Sequence, residues 1–171
     1  LHYRSHSFPT RRSSDLAVLE GLALGSISYI YNLQYDGIVL QAISITVLVL
    51  FSLLFAYRSK IIKPTENFKL GLFAATGGIF LLYLISFIMS FFGSGISLLS
   101  PNNSSILSIG LSFGIVIIAA LNLVIDFDFI EEGSEKGAPK YMEWYGAFGL
   151  LVTLIWLYLE LLRLLAKMKN R

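Results

Sequence analysis

SILSIGLSFGIVIIAALNLVIDFDFIEEGSEKG, residues 105 to 137, joins two opposed kinds of sequence. Ser105 to Ile125 is uncharged and dominated by isoleucine, leucine and valine, whereas the remainder carries Asp126, Asp128, Glu131, Glu132 and Glu135. A hydrocarbon core about 30 Å thick needs roughly 20 apolar residues at about 1.5 Å rise each, so the first part reads as a membrane-spanning helix. On insertion scales a central Asp costs about 2.5–3.5 kcal/mol, while each Ile, Leu, Val or Phe gains about 0.3–0.6 kcal/mol. Thirteen such apolar residues lie between Ser105 and Ile125, enough to carry one carboxylate near the end and still insert. The acidic run is then either a solvated helix end or the polar lining of an interior.

Three further segments have the same length and character: Gly37 to Tyr57, Leu70 to Phe92 and Tyr145 to Leu165. A fifth, Ala17 to Tyr31, falls short of a full span by several residues. Composition agrees with the spans. The 171 residues are 56% hydrophobic and 14% charged, with a mean hydropathy of +0.72. Soluble domains have about 45–50% apolar and about 25% charged residues. The fold class is therefore all-α, a polytopic membrane helix bundle in contact with the lipid bilayer. The absence of cysteine excludes disulfides, thiolate catalysis and cysteine-ligated metals. Both histidines, His2 and His6, precede the apolar segments, and no nucleophile-elbow, zincin, P-loop or dinucleotide motif is present, so no enzyme activity and no cofactor are expected.

LHYRSHSFPTRRSSDL, residues 1 to 16, contains no apolar run of the kind a signal peptide needs. From His6 to Leu16 it resembles a translated sequencing-adaptor oligonucleotide, and residues 1 to 16 are expected to be a non-native scar ahead of a bundle spanning 17 to 171. Without Arg4, Arg11, Arg12 and Asp15, the 13 basic and 11 acidic residues become 10 and 10, and the charge of +2 falls to zero. The pI of 8.8 then carries no argument for nucleic acid. Truncation at the scar also accounts for the short first span.

The connections are readable. Asn32 to Asp36 is a short polar turn; Arg58 to Lys69 is basic, with Pro64 as a helix terminator and Thr65 as a helix N-cap; Gly93 to Ser104 is uncharged and rich in turn formers. Lys and Arg number four in Arg58 to Lys69 and two in Glu131 to Glu143, which places those loops in the cytoplasm, against four in the C-terminal stretch: Arg163, Lys167, Lys169 and Arg171. Gly21 with Gly25, and Gly110 with Gly114, form GxxxG patterns, and Gly146, Ala147 and Gly149 line the start of the last segment; all three segments are expected to face other helices. Tyr29, Tyr31, Tyr57, Tyr141, Trp144 and Tyr145 lie at segment ends, where an interfacial belt belongs.

Within the spans or at their edges the ionisable candidates are Glu20, Asp126, Asp128, Glu160 and Arg163. Asn122 and Asp126 are four apart and share a helix face, while Asp128 lies about 200° around from Asp126. One Asp can thus face the bundle while the other faces water or headgroups. An inward carboxylate beside an amide is a hard-oxygen site of the kind Ca²⁺ accepts, which makes Asp126 the candidate metal-contacting residue. The D-x-D pattern is not an EF-hand, lacking the third ligand and the glycine. Burial would couple cation occupancy to proton concentration. Glu160 and Arg163, three apart, can pair; alternatively Arg163 snorkels outward with Lys167.

EGLALGSISYIY, DGIVLQA, AALNLVIDFDFIEEG and GAPKYMEWYGAFGLLVTLIWLYLELLRLL together resemble the Bax inhibitor-1/YccA family, in a bacterial branch, over Ala17 to Arg171. The resemblance implies seven helices with the last one central, hence five present here, and residence in the bacterial cytoplasmic membrane. It also implies a pH-sensitive calcium leak controlled by two aspartates, with calcium as a transient ligand. Asp126 matches the first, and Arg163 matches the family's arginine. At the second stands Thr153, which leaves Asn122, Glu160 or Glu143 as partners for Asp126. Some relatives are associated with a membrane-anchored protease, which gives the alternative of a non-transporting regulator that binds other membrane proteins.

Overall fold

The computed structural model describes residues 10–171, with residues 1–9 outside it. The described residues form five α-helices: α1 (Thr10–Gln34), α2 (Ile38–Arg58), α3 (Glu66–Phe91), α4 (Ile106–Glu135) and α5 (Tyr141–Lys169), with a 3₁₀ turn at Ser97–Leu99 between α3 and α4. All five are long and apolar enough to cross a membrane. Most of the expected scar lies outside the described residues, and residues 10–16 continue α1 as helix. The first span corrects upward: its membrane-length stretch is Ser14–Gln34, 21 residues, longer at both ends than Ala17 to Tyr31.

The larger difference is at the acidic run. Helix α4 does not stop at Ile125 but continues through all five carboxylates to Glu135. Its stop is set by backbone chemistry: Gly137 takes φ 63, and the Ala138 amide returns to the Gly133 carbonyl at 2.9 Å. A left-handed glycine just past the last turn is the common way a helix ends, and charge alone does not end one. Ser105 caps the start, accepting from the Ser108 amide at 3.3 Å. The Thr65 cap forms as read, accepting from the Phe68 amide at 3.2 Å.

Helix α5 occupies the centre. It packs along α4 and α2, hydrogen-bonds to α1 through Ser28 and Tyr158 at 2.6 Å, and reaches α3 through Tyr83. The apolar core between them comprises Ile38, Ala42, Ala119, Leu123, Leu157 and Leu162, each fully buried. The outer faces expose large apolar groups such as Phe51, Phe55, Phe73 and Phe80, as a lipid-facing surface must.

The expected glycine contacts form in part. A Cβ added at Gly21, Gly25, Gly110 or Gly114 would meet nothing within 4 Å, so neither GxxxG pattern faces a helix of this bundle. Close approach occurs, as expected, at the start of α5: at Gly146, where a Cβ would lie 2.9 Å from Ile130 Cγ1, and at Gly149, 3.7 Å from Asp126 Oδ1. The start of α5 therefore lies tight against the end of α4, and that places the site.

Candidate functional site

Three levels of polar side chains run along the α4–α5 contact. At the first, Asp126 points at α5 beside Gly149, and Thr153 is its polar neighbour there. Its Oδ2 is buried without a hydrogen-bond partner. Thr153 hydroxyl donates to the Gly149 carbonyl at 3.0 Å, so its proton is already committed. Asn122 turns elsewhere, donating to Thr76 Oγ1 on α3 at 2.9 Å and to the Ile118 carbonyl at 2.8 Å. The shared helix face thus does not bring the amide to the carboxylate; the amide bonds to the Thr76 hydroxyl of α3.

Asp128, rotated away from Asp126, points to the other neighbours of α4. It pairs with Lys69 of α3 at 2.6 Å and accepts from the Tyr57 hydroxyl of α2 at 3.4 Å. Tyr57 also donates to Glu131. These contacts tie the end of α4 to both ends of the basic loop, and with Arg58, Lys60 and Lys63 they border an open cleft of about 1100 Å³. Tyr57 is thereby a member of this network, whereas Tyr29, Tyr141, Trp144 and Tyr145 are exposed.

At the second level Glu160 is 3% exposed and accepts from Tyr83 at 2.6 Å through Oε1. Arg163 Nη1 donates to Tyr83 Oη at 2.5 Å and to the same Glu160 oxygen at 3.4 Å, with its guanidinium 5.0 Å from the Tyr83 ring centroid. The pair is thus built around a tyrosine from α3, and Tyr31 of α1 approaches Arg163 as well. Glu160 Oε2 has no partner. A smaller recess of about 350 Å³, edged by Ser86, Ser90 and Ser100, opens onto Arg163 and Tyr83.

The third level is Lys167, and it excludes the alternative in which this lysine snorkels outward beside Arg163. Lys167 is 0% exposed, its ammonium donating to the Leu98 carbonyl at 2.8 Å, Ser112 Oγ at 2.7 Å and the Ser108 carbonyl at 3.4 Å. Thr153, Glu160 and Lys167 are spaced by seven, and seven residues bring a helix back to within about 20° of the same face. That spacing was the available signal for Lys167. Beyond it, Lys169 donates to the Asp36 carbonyl at 2.9 Å.

Two candidates stay apart from these levels. Glu20 is half-exposed on α1 at the edge of the bundle, and Glu143 is exposed in the first turn of α5. Neither has an ion pair among the described residues. No group of three or more His, Cys, Asp or Glu able to hold a metal ion occurs among the described residues.

The arrangement is a multi-pass membrane bundle with ionisable groups buried along one helix contact. No curated protein and no solved structure matches the chain. A family model, Bax inhibitor 1 like, matches residues 13–170, nearly the whole sequence. On that match the chain belongs to the Bax inhibitor 1 like family.

Proposed function

We propose that the chain is a non-enzymatic protein of the bacterial cytoplasmic membrane through which calcium leaks in a pH-sensitive manner, with Asp126 as the gating carboxylate. One observation carries this reading: Asp126 Oδ2 is buried at the α4–α5 contact without a hydrogen-bond partner. An ionised carboxylate in that position costs several kcal/mol unless something compensates it. A proton and a cation are the two species able to do so, and their competition makes cation passage depend on proton concentration. Gly149 keeps the opposing backbone free of a side chain there. With Thr153 where a second aspartate is implied, gating rests on a single carboxylate, and Glu160 serves a separate pair one heptad along. A lone carboxylate holds calcium weakly, since the ion takes 6–8 oxygen ligands at equilibrium, so calcium is cargo in this reading and not a resident cofactor.

Reconstitution into liposomes loaded with Ca²⁺ and a calcium dye tests it. The wild type is expected to leak at different rates at acidic and neutral pH, and Asp126→Asn to lose that difference. Equal flux from both at both pH values sinks the assignment and favours a protein that acts by binding other membrane proteins, such as a membrane-anchored protease. Crosslinking in native membranes then identifies the partner.

A further inference from the structure

Lys167 presents a problem the leak reading does not address. Its side chain is fully buried, yet no carboxylate among the described residues lies within ion-pair distance of it. A lysine ammonium has three donors, and all three are accounted for by neutral oxygens: the Leu98 and Ser108 carbonyls and the Ser112 hydroxyl. Burying an ammonium costs several kcal/mol even after relaxation, so these dipoles replace hydration without adding an opposite charge. The oxygens are also held in place. Ser108 Oγ donates to the Leu98 carbonyl at 2.8 Å, fixing the 3₁₀ turn against the first turn of α4.

Carbonyl and hydroxyl oxygens arranged to take over a hydration shell are what a dehydrated monovalent cation requires. The absence of a carboxylate from the set makes it a poor match for a hard divalent ion. We propose that Lys167 is an internal plug: its ammonium fills a monovalent-cation seat formed by Leu98 O, Ser108 O and Ser112 Oγ, and closes the end of the α4–α5 contact remote from Asp126. The positions fit that task. Thr153 marks the Asp126 level, and Lys167 lies fourteen residues further along the same face, about 21 Å at 1.5 Å per residue. A cation leaving by that end meets a fixed positive charge, and the seat becomes available when the charge is withdrawn.

The seat stands on geometry alone, while the plug's effect on flux rests on the leak reading, so the experiment uses two readouts. In detergent, Lys167→Ala empties the seat. Its melting temperature is expected to be a few degrees higher in potassium chloride than in choline chloride at equal ionic strength, with no such difference in wild type. Absence of that difference in the variant overturns the seat, and with it the proposal; a purely structural tether gives this result.

In calcium-loaded liposomes, Lys167→Met, which keeps length and removes charge, is expected to raise efflux on the order of tenfold, the effect of lowering a barrier by about 1.4 kcal/mol. Asp126→Asn in the same series separates the two ideas. If Asp126→Asn abolishes the pH dependence while Lys167→Met leaks like wild type, the plug is overturned and the gate stands. If Lys167→Met leaks faster and Asp126→Asn is silent, the plug stands and the gate falls. Wild-type flux from both variants overturns both. Should Lys167→Met fail to fold, Ser112→Ala removes one seat oxygen and leaves the lysine; a smaller rise in efflux supports the plug, and none overturns it.

Discussion

The two ends of the α4–α5 contact are opposites. Near the start of α5 a half-buried carboxylate, Asp126, with one oxygen fully enclosed, has no cation beside it; near its finish a buried ammonium, Lys167, has no anion beside it. Their separation of about 21 Å along the helix leaves them an attraction of only about 0.8 kcal/mol at an effective dielectric near 20, against about 4 kcal/mol for a pair in contact. They cannot neutralise each other. Between them Glu160 and Arg163 do make a pair, bridged by Tyr83. The contrast teaches that α5 is able to partner a buried charge and does so at its middle, while at its ends one charge meets neutral oxygens and the other meets a glycine.

The largest effect is expected where pairing is complete. Arg163→Ala removes the cation from a carboxylate that is 3% exposed, and breaking a buried pair from one side costs about 3–5 kcal/mol. Arg163 is itself 27% exposed, so the lower end of that range is expected, read as lost resistance to chemical unfolding in detergent. Adding Glu160→Leu to the same protein is expected to restore most of the loss, because the orphaned charge goes with it. A loss below about 1 kcal/mol for Arg163→Ala would equate the pair with an exposed salt bridge, and the difference between the middle and the ends would disappear.

Next in size is the helix contact that positions Asp126. At Gly146 an alanine methyl would lie 2.9 Å from Ile130 Cγ1, too close for a carbon contact, so the Ile130 side chain must shift. Overpacking of this kind costs about 1–3 kcal/mol, more than the gain of about 1 kcal/mol from replacing glycine inside a helix. Gly146→Ala is therefore expected to lower the melting temperature, and Gly146→Ala with Ile130→Val to recover part of the fall. A melting temperature that rises for Gly146→Ala would show that the start of α5 is free to move, removing the basis for a fixed Asp126 environment.

The bundle was legible in the sequence because membrane insertion is decided by length and hydropathy, which are local sums: all five apolar segments are helices, and the Thr65 cap forms as read. The acidic run was not, since a helix continues through carboxylates as readily as through leucines, and its stop at Gly137 depends on one backbone conformation. Side-chain partners were the least legible. Periodicity placed Asn122 and Asp126 on one face, but the amide found Thr76 on α3, a residue 46 positions away. Tyr83 in the middle pair and Leu98 in the Lys167 seat are likewise distant in sequence, and no periodicity on one helix specifies which loop or helix lies opposite. Of the small-residue sites, Gly146 and Gly149 make the close approach and the two GxxxG pairs do not, because spacing records a capacity for contact and not which helix lies opposite.

The smallest expected effect on stability is the most informative about the gate. At Gly149 an added methyl would sit 3.7 Å from Asp126 Oδ1, an ordinary contact that requires no displacement. Replacing a mid-helix glycine with alanine gains about 1 kcal/mol, and partial loss of space around the carboxylate offsets some of it, so Gly149→Ala is expected to leave the melting temperature unchanged or slightly higher. Its effect on transport should be out of proportion to that. A methyl against Asp126 narrows the approach of any hydrated cation while leaving the carboxylate in place, so calcium efflux should fall even as stability holds. Gly146→Ala, one turn earlier, offers the converse, losing stability without touching the carboxylate directly. If efflux instead follows stability across both glycines, the α4–α5 contact is a packing interface like any other, and the unpaired charge at its end has no part in moving ions.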